Sequence, residues 1–312
     1  MKKKHRMIAV LIVFLLILAA GCGQVDEGNQ APSDNGSDNP ESPYPMTIVD
    51  DAGRTVEIEA EPQRIVSLMP SLTETLFAVG LGDRVVGVTS FCNYPEAALE
   101  KEKVGSLFDL NTEMILSLEP DLVLTGESDT LQDVLDFLTD NGLTVVVVDP
   151  QNLDEIEEAI REVGKITGVP EKGADVAADV AAQRAALNER VGAVADENRP
   201  SVFILLDTEA IYTMGQGVFL ADIVHAAGGV NAAADKGEGY FQLSEEALLE
   251  LNPEIIINTF PMRDQVMAKT SWQEIEAIKN GRVYDVDGDL VSRPGPRIIL
   301  GLEELYNVFF AE

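Results

Sequence analysis

Two stretches of this chain carry the same short pattern, and each opens on a carboxylate. Glu113-Met-Ile-Leu-Ser-Leu-Glu-Pro-Asp-Leu-Val-Leu124 matches Glu246-Ala-Leu-Leu-Glu-Leu-Asn-Pro-Glu-Ile-Ile-Ile257. Each reads as a short helix, a proline stop and a buried strand. Asn111 and Ser244, two residues before each glutamate, are placed to cap those helices, and the backbone dipole favours a carboxylate there. Capping alone would account for the pair. Two exposed carboxylates at matching places also suit docking on a two-fold partner, where complementary charge fixes orientation.

Residue types for covalent or metal chemistry are scarce. Cys22 and Cys92 are the only cysteines, and His225 is the only histidine beyond the first ten residues. Nucleophilic catalysis needs a base beside an activated nucleophile, and a zinc or manganese site needs a ligand cluster. Neither pattern is present, so the expectation is a protein that is not an enzyme and holds no metal or cofactor of its own. His225 falls on a helix from Phe219 to Ala227, ended by Gly228-Gly229. Cys92 reads as a small buried residue, and Trp272, near Ile275 and Ile278, as packing on a helix from Trp272 to Ile278.

The N-terminus gives an address. Lys2, Lys3, Lys4 and Arg6 precede fourteen apolar residues, Met7 to Ala20, ending in Leu18-Ala-Ala-Gly-Cys22. The run is short of the ~20 residues of a membrane span and reads as a secretory signal. Its end resembles a lipobox, which implies cleavage after residue 21 and a lipid on Cys22. Residues 22–45, rich in Gly, Asn, Asp, Ser and Pro, are expected to form a flexible tether. Removing the signal leaves 18 basic residues against 54 acidic ones, a net charge of −36. Such a field repels nucleic acid.

Residues 46–312 suit two lobes. Met46 to Glu59 reads as a hairpin about Asp51-Ala-Gly53. Apolar strands then alternate with helical patterns: Arg64 to Leu68, helix Ser71 to Val79, Val85 to Thr89, helix Thr112 to Ser117, Leu122 to Thr125, helix Leu131 to Asn141, Val145 to Asp149 and helix Leu153 to Thr167. This alternation predicts a parallel sheet. An Ala-rich stretch, Glu171 to Asn198, predicts one helix long enough to join two lobes. The same α/β style returns in Val202 to Leu206, Ile255 to Thr259, Val283 to Val286 and a last helix, Pro296 to Phe309. The expected organisation is a 46–169 lobe, a 170–199 connecting helix and a 200–312 lobe.

Several motifs together resemble one family. They are Pro62-Gln-Arg-Ile-Val-Ser-Leu-Met-Pro-Ser-Leu-Thr-Glu74, Gly80-Leu-Gly-Asp-Arg-Val-Val-Gly-Val-Thr89, Cys92-Asn-Tyr-Pro95, Lys103-Val-Gly105, Ala226-Ala-Gly-Gly-Val-Asn231 and Arg293-Pro-Gly-Pro-Arg-Ile-Ile299. The chain resembles the ABC-transporter binding proteins with a helical backbone, which serve cobalamin, ferric siderophores and haem. Thr89-Ser-Phe-Cys-Asn-Tyr-Pro95 and Lys103-Val-Gly-Ser-Leu-Phe108 look most like the cobalamin-binding branch.

The resemblance implies two Rossmann-like lobes with mostly parallel sheets and a ligand between them. It implies a monomeric extracytoplasmic lipoprotein that hands a corrinoid to a permease dimer and its ATPase. Glu113 and Glu246 would then meet the permease. Phe91 and Tyr240 fall at ligand-facing aromatic places, Asp289 and Arg293 at polar ones, and Pro70-Ser71 on a loop near the ligand. Where cobalamin binders carry a tryptophan this chain has Leu107, with Phe108 as the substitute. A haem receptor, with Tyr94 or Tyr240 on the iron, or a ferric siderophore receptor, with Arg293 and Arg64 as the cations, is the alternative of the same class. A surface ligand sensor is the alternative of another.

Overall fold

The computed structural model describes residues 42–127 and 131–310. The segments expected to be a signal (residues 1–21), a lipidation site (Cys22) and a tether (as far as residue 41) lie outside the described residues.

An antiparallel ribbon, β1 (Met46–Val49) and β2 (Thr55–Ile58), opens the first lobe. Then follow β3 (Ile65–Ser67), α1 (Pro70–Ala78), β4 (Val85–Val88), β5 (Glu102–Lys103), β6 (Gly105–Ser106), β7 (Asp109–Leu110), α2 (Thr112–Ser117), β8 (Leu122–Thr125), α3 (Gln132–Asp140), β9 (Val145–Val147) and α4 (Leu153–Ile166). Strands β5, β4, β3, β8 and β9 lie side by side in one parallel sheet. Every residue of β3, β8 and β9 is buried, because helices cover both faces. That double burial is why these strands read as unbroken apolar runs instead of alternating.

The connecting helix α5 (Pro170–Gly192) has 23 residues and so spans about 35 Å. It starts on a proline, whose fixed φ suits the first helical position. A Cβ on Gly164 would lie 2.7 Å from the Gly173 Cα, so α4 and α5 touch backbone to backbone. Farther along, Ala177, Val180, Leu187 and Val191 enter the core of the second lobe. The helix is thus packed at both ends and leaves little freedom between the sheets.

The second lobe comprises β10 (Ser201–Leu205), β11 (Tyr212–Met214), α6 (Phe219–Ala226), β12 (Val230–Asn231), β13 (Tyr240–Gln242), α7 (Glu245–Leu251), β14 (Ile255–Asn258), α8 (Arg263–Ala268), α9 (Glu276–Lys279), β15 (Val283–Asp285), α10 (Gly288–Ser292) and α11 (Ile298–Phe310). Its parallel sheet runs β12, β10, β14, β15, and β11 pairs with β13 as a separate antiparallel ribbon. The chain is therefore α/β, with a parallel sheet in each lobe and one long helix between them.

Four details differ from the sequence expectation. The long helix stops at Gly192, and Asp196–Asn198 forms a separate 3-10 turn, because glycine is a poor helix residue. No single helix runs from Trp272 to Ile278: a 3-10 turn, Thr270–Trp272, precedes α9. The spacing of three between Trp272, Ile275 and Ile278 is met by these turns, which bury all three side chains. The ordered body also begins before residue 46, since the Tyr44 hydroxyl donates to the Ile166 carbonyl at 3.0 Å. The β11–β13 ribbon went unread because its strands are three residues each and 25 residues apart.

The repeat extends into backbone geometry. Both of its helices are followed by a left-handed residue and then a proline: Glu119 at φ 48° before Pro120, and Asn252 at φ 42° before Pro253. Asparagine tolerates that region and glutamate does not, at a cost of roughly 1–2 kcal/mol. Glu119→Asn is expected to raise stability by about 0.5–1 kcal/mol, read from the urea midpoint. An unchanged or lower midpoint contradicts the strain at Glu119.

Candidate functional site

Parallel strands deliver their connecting loops to one edge of each sheet, and ligands bind outside the carboxyl ends of such strands. Here those loops hold Met69 and Pro70 after β3, Thr89 to Pro95 after β4, Thr259 and Phe260 after β14, and Val286 and Asp287 after β15. The two edges meet. Arg293, beyond β15, donates to Glu74 Oε1 at 2.9 Å, to Asn93 Oδ1 at 2.7 Å and to the Phe91 carbonyl at 3.2 Å, all in the first lobe. It also pairs with Asp289 at 2.7 Å. Arg297 grips both oxygens of the same glutamate, through Nε at 2.9 Å and Nη2 at 2.6 Å.

Glu74 sits on α1 with its side chain 2% exposed. A carboxylate so buried is tolerable only because two guanidiniums neutralise and hydrogen-bond it. Burial works against the charge on Arg297, but the bonds and charge of Glu74, together with Tyr94 and Asp287, outweigh it and raise the pKa above its ordinary value. The Arg297 guanidinium also lies 3.9 Å from the Tyr94 ring centroid. Between the arginines, Gly295 presses on the first lobe, where a Cβ would come within 3.2 Å of the Ser71 carbonyl.

Aromatic faces gather beside this seam. In the first lobe Phe91 meets Phe108 edge to face, with centroids 6.4 Å apart, a favoured arrangement. Phe108 is 83% exposed at the tip of the β6–β7 hairpin. That hairpin starts at Gly105, φ 105°, where a Cβ would collide with the Asp109 carbonyl of the facing strand, and it is tied to the Phe91 loop by a bond from Ser90 N to Gly105 O. In the second lobe a cavity of about 390 Å³ has Leu206 and Leu220 among its lining, with Tyr240, Phe260, Asp287 and Asp289. Burial, and next the neighbouring Tyr212, raises the Tyr240 pKa, which keeps the phenol neutral as a hydrogen-bond donor. Asn93 Nδ2 donates to Asp289 Oδ2 at 2.8 Å across the seam.

The structure separates the residues named from sequence into groups. Phe91, Phe108, Tyr240 and Asp289 present surface to the seam or cavity, and Pro70 is half-buried at the start of α1. Ser71 is buried under Gly295, and the Arg293 side chain is 10% exposed with its donors committed. Arg293 is therefore placed to join the lobes more than to meet a ligand edge. Cys92 is buried between the hydroxyls of Thr73 and Thr89, each at 3.2 Å, and Trp272 lies in the core.

Glu113 and Glu246 are both exposed in first helical turns, capped by Asn111 to Met114 N at 2.9 Å and Ser244 to Ala247 N at 3.2 Å. In each lobe the capped helix follows a short antiparallel ribbon that carries an aromatic: Phe108 before β7 and α2, Tyr240 in β13 before α7. Sequence reasoning missed Phe260, Glu74, Asn93 and Arg297. Phe260 had a signal, two residues beyond a parallel strand. Glu74 and Arg297 had one too, since both lie in motifs already singled out.

A family model described as "Periplasmic binding protein" matches residues 65–290. A relative from Bacillus subtilis (strain 168) named "Uncharacterized ABC transporter substrate-binding lipoprotein YvrC" is 38% identical over 310 residues, 98% of this chain and 96% of the relative. The crystal structure of the periplasmic vitamin B12-binding protein BtuF of Vibrio cholerae superposes with a TM-score of 0.72 and 31% identity, covering 80% of this chain and 97% of that one. The periplasmic haem-binding protein RhuT of Roseiflexus sp. RS-1 gives 0.73 and 30%, covering 80% and 98%.

Removing one partner of a buried ion pair strands the other. Glu74→Gln is expected to lower stability by roughly 3–5 kcal/mol, measured by urea unfolding. A loss below about 1 kcal/mol, the scale of an exposed pair, contradicts a buried, doubly bonded carboxylate at the seam.

Proposed function

The chain belongs to the periplasmic binding protein family, and from that premise we propose that it captures a corrinoid between its lobes and delivers it to an ABC importer. Its relatives are solute-binding components of such transporters, so the class is carriage and not catalysis. The observation that carries the ligand reading is the exposed aromatics on the two edges that Arg293 joins: Phe91 and Phe108 on one, Tyr240 and Phe260 on the other, the latter two lining a cavity of about 390 Å³. Rigid rings on preorganised lobes bury a broad, flat ligand at small entropic cost. A corrinoid is such a ring, edged with amides that the Asp289 carboxylate and the Tyr240 hydroxyl can meet.

Haem is the second reading, supported by the likeness to the Roseiflexus protein. Against it, iron ligation by Tyr240 would need a phenolate, and burial opposes that form. In the cell, Cys22 carries the lipid, the protein stands on the outer face of the membrane, and Glu113 and Glu246 dock on two permease subunits. Similarity to a lipoprotein along 98% of the chain supports the anchor. Matching caps and exposure of the two glutamates support the docking role.

Two experiments test this. In calorimetric titration with cyanocobalamin, cobinamide, haem and a ferric siderophore, the corrinoids bind tightly, and Phe91→Ala or Tyr240→Ala each costs roughly 1–3 kcal/mol. Tight binding of haem or siderophore with no corrinoid heat sinks the ligand reading. For docking, reversing Glu113 and Glu246 together to Lys abolishes uptake of labelled cobalamin while ligand affinity stays within about threefold, because the charges lie off the ligand surface. A large affinity loss in the folded double variant contradicts that role.

A further inference from the structure

The cavity lining carries two carboxylates, Asp287 and Asp289, and no cation among the described residues. The nearest guanidiniums are already engaged. Arg293 divides its donors among Glu74, Asn93, the Phe91 carbonyl and Asp289, and Arg297 holds Glu74. Turning either toward a bound anion would strip a partner from a buried carboxylate, which is strongly unfavourable. Elsewhere near the seam, Lys103 Nζ donates to the carbonyls of Cys92 and Ala98, and Lys269 Nζ to that of Thr208. Counting the seam itself, three carboxylates, Glu74, Asp287 and Asp289, face two guanidiniums, and the excess negative charge lies on the cavity side.

Asp289 still has capacity for a ligand. Its oxygens are held by Arg293 and Asn93, yet its side chain is 40% exposed, and each carboxylate oxygen accepts more than one hydrogen bond. A ligand edge bearing amide N–H groups can donate into it. A ligand edge bearing carboxylates or an anionic chelate meets like charge in a partly desolvated cleft, with no free cation among the described lining residues to offset it.

We infer that the cleft selects its ligand by charge: Asp289, backed by Asp287, is a specificity-determining residue that admits neutral ligands with hydrogen-bond donors on their edge and rejects anionic ones. Arg293 is the positioning residue that holds Asp289 in place. Charge selection depends on the proposed function for where the ligand lies, and not for which ligand it is. The raised pKa of Tyr240 agrees, since a neutral phenol adds no charge of its own.

The test uses pairs of ligands that share a ring and differ in edge charge: cyanocobalamin against its monocarboxylic acids, in which one peripheral amide is hydrolysed, and haem bis-amide against haem. Calorimetry on the wild-type protein is expected to show the neutral member binding tighter by at least about tenfold in any pair that binds. The gap should narrow in 0.5 M NaCl by screening, on the scale of a Debye length of roughly 4 Å. Asp289→Asn, which keeps an acceptor oxygen for Asn93, should reduce the gap to about threefold or less. Should that variant fail to fold, the salt dependence of the wild-type ratio decides the same question. No heat with cyanocobalamin, together with a haem pair that favours the bis-amide, sinks the corrinoid reading and supports charge selection. Equal or tighter binding of the acids, or a gap indifferent to both Asp289→Asn and salt, overturns charge selection while sparing the corrinoid. Heat from none of the four ligands overturns both.

Discussion

The Glu74 carboxylate, buried on α1 and shared by Arg293 and Arg297 from the other lobe, fixes how the two sheets face each other. One buried charge with two partners is harder to pull apart than two exposed pairs, because separating the lobes there would leave a carboxylate uncompensated in a poorly solvated place. The aromatic faces and the cavity inherit their spacing from that contact. On the far side, α5 is packed into both lobes and fixes the remaining degree of freedom. A seam held at two places, one covalent and helical, the other ionic, gives a cleft whose geometry exists before a ligand arrives.

The same pattern shows in where the chain places its cations. Beyond residue 21 there are 18 basic residues against 54 acidic ones, and several arginines go to carboxylates with little exposure: Arg54 to Asp50, Arg184 to Glu157, and the seam pair to Glu74. The surface is left acidic. Carboxylates gathered without such partners are pushed up: burial first, then neighbouring acids, raise Glu162, and burial does the same for Asp149. Salt screens the self-repulsion of the exposed acids and leaves the buried pairs almost untouched.

Much of the fold was legible because its signals are local. Unbroken apolar runs at Ile65, Leu122, Val145 and Ile255 marked strands buried on both faces, and Asn111 and Ser244 marked helix starts through their caps. Elements whose identity depends on distant pairing were not legible. The β11–β13 ribbon and the short strands beyond Lys103 have no pattern until their partners are adjacent. The site divided along the same line. Exposed aromatics were located by motif, whereas the role of Arg293 depended on which acid it would find 219 positions away. No property of residues 293–297 alone reveals that Glu74 is their partner.

The two ribbons that lead from aromatic to capped helix set a limit on how this scaffold can diversify. Phe108 precedes Glu113 by five residues, and Tyr240 precedes Glu246 by six, with strand and cap filling the interval. An insertion or deletion there would shift a helix N-terminus whenever it enlarged or reshaped the cleft. Adaptation to a different ligand is therefore channelled into side-chain replacement at fixed loop length on these two segments, while length changes are confined to loops that end elsewhere. Lineages built on this frame should differ in the chemistry of those few positions far more than in their spacing.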